Sequence, residues 1–159
     1  MPARALRHDT AAEESDRPIE LGILPELIGF HLRKAQLAVF QDFARSAGPV
    51  ELTLGQFGVL EVIARNPGLS QTRLGATLGI DRSTLVALID RLEELGLVQR
   101  ANAPRDRRSY ALFLSTRGKT RLGELTEMVR AHEQRIATDL DAAEKLQLIA
   151  LLRRIHRLG

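Results

Sequence analysis

The chain has 159 residues, 44% hydrophobic and 27% charged, with a formal net charge of +3. That is enough apolar material for one packed domain, which excludes a wholly disordered protein. The absence of cysteine excludes disulfides, thiolate metal sites and a thiol redox switch, while the small positive charge favours a polyanionic partner without establishing one.

Residues 1–18 contain Arg4, Arg7, Asp9, Glu13, Glu14 and Asp16 with no apolar core of a signal peptide, so they read as a disordered tail ending at Pro18. No apolar run is long enough to span a bilayer, and the chain reads as cytoplasmic with no membrane partner. From Ile23 to about Ser46 the spacing predicts a helix, with Pro25 tolerated in its first turn. Leu24, Ile28, His31, Ala35 and Val39 make one apolar row, which Leu32, Phe40 and Phe43 widen beyond what a one-sided surface helix needs. Gly48-Pro49 breaks it. Thr53 and Gln56 form a capping box for a second helix through Arg65, and Asn66-Pro67-Gly68 is a turn.

The central stretch predicts two short helices and a hairpin. Ser70 caps a helix bearing Leu74 and Leu78, which Gly79 ends. Asp81 caps the next, whose Leu85, Leu88, Ile89, Leu92 and Leu95 form a buried stripe and leave Arg82, Ser83, Val86, Ala87 and Asp90 outside. Two helices joined through Gly, the second with a polar N-terminal face, make a helix-turn-helix for a DNA major groove. Gly96 then stops the helix, and Val98–Arg100 pairs with Tyr110–Leu114, where Tyr110, Leu112 and Leu114 alternate. Asn102, Pro104 and Asp106 are turn formers between them. Arg100, Arg105, Arg107 and Arg108 crowd this tip, which repels itself unless an anion such as phosphate arrives.

Thr116 to Leu140 predicts a long helix with Leu122, Leu125, Met128 or Val129, His132 and Ile136 on one side. Asp141 caps a last helix bearing Leu146, Ile149, Leu152 and Ile155, with Arg153, Arg154 and Arg157 complementing its dipole. Apolar excess at both ends suggests that the terminal helices of two chains pack together as a homodimer.

The run DRSTLVALIDRLEELGLVQR followed by APRDRRSYALFLSTRG resembles the winged helix-turn-helix of the MarR family of bacterial transcription regulators. Asp106 and Arg108 match the Asp-x-Arg of that family's wing, and Leu114, Ser115 and Gly118 loosely match its Leu-Thr-x-x-Gly. Val86 and Ala87 depart from it, since members often have Thr and Arg there. The resemblance implies a mainly α fold with a small β wing. Its winged helix-turn-helix would occupy about residues 50–115, flanked by N- and C-terminal dimerisation helices at about 20–47 and 116–158, all in one domain over 19–159. It further implies one winged unit in each half of a palindromic site.

On this reading Arg82, Ser83 and Thr84 read bases with apolar touches from Val86 and Ala87, while Ser70, Gln71, Thr72 and Arg73 position phosphates. Arg91 joins the DNA-binding set, and in the wing Asp106 pairs Arg108 while Arg105 or Arg107 enters a minor groove. With so little hydrogen-bonding capacity on the reading helix, DNA shape weighs heavily in specificity. The resemblance also implies a small-molecule effector, an anionic aromatic acid or thioester, held in a cleft for which Phe30, His31, Arg33, Lys34, Phe57 and Arg65 are candidates.

Catalytic patterns fail. Gly118-Lys119-Thr120 resembles the end of a phosphate loop, but Phe113 stands where that loop needs Gly, and His132-Glu133 is followed by Ile136 where a zinc protease needs a second His. His8, His31, His132 and His156 are scattered, so no metal, cofactor or enzymatic activity is expected. The expected function is that of a ligand-responsive, dimeric repressor on double-stranded DNA. The alternative is a winged-helix module that binds protein instead, which weak salt dependence on duplex DNA would mark.

Overall fold

The computed structural model describes residues 19–46, 52–103 and 106–155, so the expected tail over 1–18 and the Gly48-Pro49 break lie outside the described residues. Contacts divide the chain into two compact units, Met1–Leu37 and Ala38–Gly159. A 3-10 turn over Leu24–Glu26 in the first precedes helix α1 (Ile28–Ser46), which runs across the division at Leu37/Ala38. The single helix expected from Ile23 is therefore interrupted: Leu27 is extended at φ −94°, ψ 123°, a break that uninterrupted apolar spacing conceals.

The second unit contains the core. Helix α2 (Leu54–Arg65) starts at the expected capping box, in which Gln56 N–H donates to Thr53 Oγ1 at 3.2 Å and Thr53 N–H to Gln56 Oε1 at 2.8 Å. A two-residue strand β1 (Leu69–Ser70) leads into α3 (Gln71–Leu78) and α4 (Arg82–Glu94). Ser70 and Asp81 cap these helices as expected, and Gly79 ends α3 at φ 64°. Gly96 at φ 69° ends α4: its N–H donates to Glu93 O and that of Leu97 to Leu92 O, so two carbonyls that α4 leaves open are satisfied within one turn.

Strands β2 (Val98–Ala103) and β3 (Asp106–Leu114) form the wing, and the sheet order is β1-β3-β2, all antiparallel. Leu69 pairs with Leu112 and Val98 with Leu114. The strands are longer than expected, since Asn102 and Asp106 lie within them and Ala103 pairs with Asp106 after an irregularity at Asn102/Ala103. Ladder bonds need only backbone, so pairing continues past the point where apolar alternation stops.

Long helix α5 (Thr116–Ile136) ends four residues before the expected Leu140, because 137–140 turn to let Asp141 cap α6 (Ala142–Ile155). The core joins α2, α3, α4, the sheet and α5 through Leu60, Ile63, Leu74, Ile89, Leu92, Leu112 and Leu125, all inaccessible. Ser115 fastens α5 to the exit of α4: its hydroxyl donates to Gly96 O at 2.6 Å and accepts from Gly118 N–H at 2.9 Å. A Cβ on Gly118 would stand 2.1 Å from Leu97 O, so this glycine is required by close approach and not by a phosphate.

Candidate nucleic-acid interface

Because Leu85, Ile89 and Leu92 turn α4 inward, Arg82, Ser83, Thr84, Val86, Ala87 and Arg91 are left exposed on its outer side. At the start of α3, Thr72 and Arg73 are exposed while Ser70 and Gln71 are half-buried. An open groove of about 1020 Å³ runs between the two helices and the wing, and Gln71, Thr72, Arg82 and Val86 all line it. Eight of the expected contact residues on α3 and α4 are exposed, Thr72, Arg73, Arg82, Ser83, Thr84, Val86, Ala87 and Arg91, and of these Thr72, Arg82 and Val86 line the groove. Asp81 accepts from Ser83 Oγ at 2.6 Å and from Thr84 N–H at 3.0 Å, and these bonds hold its carboxyl well below the usual carboxylate range. Ser83 is thereby oriented at the N-terminus of α4.

Of the four arginines expected to crowd the tip, Arg100 is paired. Its guanidinium donates to Asp90 Oδ1 and Glu93 Oε2, both at 2.6 Å, and its backbone N–H to Glu93 Oε1 at 3.2 Å. Burial alone would lower its pKa, but the bonds to the two carboxylates outweigh that and raise it. Arg100 is therefore already neutralised, and it clamps β2 to α4. The carboxylates lie ten and seven positions before the arginine but on a different element, a helix that ends before the strand of Arg100 begins, so no single periodicity connects them.

Arg105 lies outside the described residues, and for Asp106, Arg107 and Arg108 the strand backbone is described without the side chains. Tyr110, expected on the apolar side of its strand, is instead half exposed and lines the groove beside Arg100. Its partner in the ladder is Asn102.

The effector candidates fall in both units. In the first, the Phe30 and His31 rings meet edge-on at 5.5 Å, Lys34 Nζ stands 5.5 Å from the Phe30 centroid, His31 Nε2 lies 2.7 Å from Pro25 O, and Arg33 is exposed. In the second, Phe57 packs on the core and Arg65 pairs with Glu61 at 2.9 Å. A cluster not foreseen from sequence is buried His132, whose Nδ1 bonds Asp42 at 2.9 Å while Arg135 donates to the same carboxylate. The His132 bond first, then Arg135, lowers the Asp42 pKa against the opposing effect of burial. Ninety residues separate Asp42 from His132, so only the fold unites them. Among the described residues no group of His, Cys, Asp or Glu is placed to hold a metal, and no helix is long and apolar enough to cross a membrane.

Comparison with known proteins bears on this geometry. A family model described as MarR family matches residues 51–109. A protein from Thauera aromatica, proposed as the transcriptional regulatory protein for the hcr operon, is 42% identical over 131 residues, 82% of this chain and 79% of its own length. The transcriptional repressor CouR, solved on a 23-mer DNA duplex, is 40% identical with a TM-score of 0.82, over 88% of this chain and 99% of that one. CouR bound to p-coumaroyl-CoA is similar at 38% identity and TM-score 0.81, over 88% and 99% of the two chains. PcaV from Streptomyces coelicolor, with its natural ligand, is 27% identical with a TM-score of 0.81, over 89% and 97%.

Proposed function

The chain belongs to the MarR family, and on that premise we propose that it is a dimeric, sequence-specific DNA-binding repressor released from a pseudo-palindromic operator by a small aromatic ligand. The observation that carries this reading is the likeness, over nearly the whole of both chains, to a repressor solved on a DNA duplex. Helix α4 enters the major groove, where Arg82, Ser83 and Thr84 meet base edges; Ser70, Gln71, Thr72, Arg73 and Arg91 meet phosphates. The wing lies over the adjacent minor groove with Arg105, Arg107 and Arg108, Asp106 orienting the last. Two copies join through their terminal helices, about 20–47 and 116–158, whose exposed leucines and isoleucines supply the contact. That places the two recognition helices about one duplex turn apart, roughly 34 Å.

The ligand is an aromatic acid or its coenzyme A thioester, by analogy with the p-coumaroyl-CoA bound to CouR. Phe30, His31, Arg33, Lys34, Phe57 and Arg65 are its candidate contacts, cations beside aromatic rings suiting an anionic aromatic molecule. It acts by binding more tightly to a dimer whose recognition helices are wrongly spaced for DNA, and the protein works by binding alone, without catalysis.

The test is a mobility-shift titration on a duplex selected from a randomised library. Affinity should fall steeply with salt, and p-coumaroyl-CoA or p-coumaric acid should release the duplex. Arg108→Ala should weaken binding sharply at fixed salt. Failure to select any duplex sinks the DNA reading; a selected duplex that neither compound releases sinks the ligand reading alone.

A further inference from the structure

Among the described residues Val86 is the one large apolar side chain of α4 that is exposed, at 37%. It stands one turn after Arg82 and one turn before Asp90, and all three line the same open groove. A β-branched residue is a poorer helix former than Ala, Leu or Lys, so an exposed valine here is not favoured by the helix itself. Of its neighbours, Leu85 is buried, Ala87 ends in a methyl, Ser83 is turned to Asp81, and Asp90 is held by Arg100. Between Arg82 and Asp90, Val86 is the exposed α4 side chain that lines the groove, and it is hydrocarbon.

We infer that Val86 is a specificity-determining residue that reads the C5-methyl of thymine in the major groove, an inference that rests on the DNA-binding reading above. The methyl of thymine is the one apolar group on a major-groove base edge. Adenine, guanine and cytosine carry no such methyl, so with any of them valine would lose this contact. Four residues of helix rise about 6 Å, against about 3.4 Å per base pair, so the thymine lies about two base pairs from the one that Arg82 meets.

The experiment uses the full chain and a duplex selected from a randomised library, with each thymine replaced in turn by deoxyuridine, which lacks only the methyl. One thymine in each half-site should prove sensitive, its loss weakening binding about fourfold, the burial of one methyl, and about fifteenfold when both half-sites are changed. In Val86→Ala, an exposed change that leaves the core untouched, the same deoxyuridine substitution should become silent. Uniform indifference of the wild type to deoxyuridine, or undiminished sensitivity in Val86→Ala, overturns the inference while leaving DNA binding intact. Inability to select any duplex overturns both.

Discussion

The winged core and the last helix have similar apolar content and opposite fates. In the core, Leu60, Leu92, Leu112 and Leu125 lose all contact with water within one chain. Helix α6 buries none of its residues, and Leu146 remains 70% exposed, with Leu148, Ile149, Leu151 and Leu152 also open. Apolar spacing is the same kind of pattern in both, so it reports that a face will be covered and not what covers it. For α2, α3 and α4 the cover is intramolecular; for α6 the proposed cover is a second copy.

That contrast is sharpest in truncation. Leu92→Ala should destabilise the chain by about 2–5 kcal/mol, measured by denaturant unfolding, because it opens a cavity in a closed core. Leu146→Ala should leave single-chain packing unchanged and instead weaken self-association by sedimentation, roughly tenfold. Equal unfolding losses for the two would break the comparison.

Gly118→Ala tests the joint between the core and the long helix. With Leu97 O only 2.1 Å from the added carbon, about 1–3 kcal/mol should be lost as α5 shifts away from the exit of α4. A neutral result would mean that the joint is loose.

Arg100→Ala probes the reading surface inside the core unit. Its side chain is only 17% exposed, but its acceptors are about half exposed, so stability should fall by only about 1 kcal/mol. Operator affinity should fall about tenfold, because the wing loses its tie to α4 and two carboxylates face the DNA without a counter-charge. Matched losses in stability and affinity would argue that the clamp is structural only.

The smallest effect is at acid pH. The Asp42 carboxyl is held below its ordinary 3.8 by His132 and Arg135, so its contribution is present above that value and is lost as pH falls through the lower folded value. Asp42→Asn should therefore flatten the decline of thermal stability below about pH 3.8. An unchanged acid limb would remove Asp42 from the account.

Much of this was legible in the residues. Thr53, Ser70, Asp81 and Asp141 cap their helices through bonds to residues three positions on, so nothing distant is needed to recognise them. The exposed row of α4 followed from the positions of Leu85, Ile89 and Leu92. The break at Leu27, strand β1 and the extra length of the wing were not legible, because each depends on backbone geometry or on a partner strand whose register side-chain pattern leaves open.

Sequence by itself determined the order of the main helices, the caps at Thr53, Ser70, Asp81 and Asp141, and the inward face of α4, since those follow from interactions spanning one or two turns of chain. Tertiary structure alone decided that Arg100 is spent on Asp90 and Glu93, that Asp42 meets His132, and that Gly118 admits no side chain against Leu97. A charge or a small residue has no partner written beside it; the partner is whichever group the packed backbone brings within about 3 Å, where a hydrogen bond forms or a clash begins.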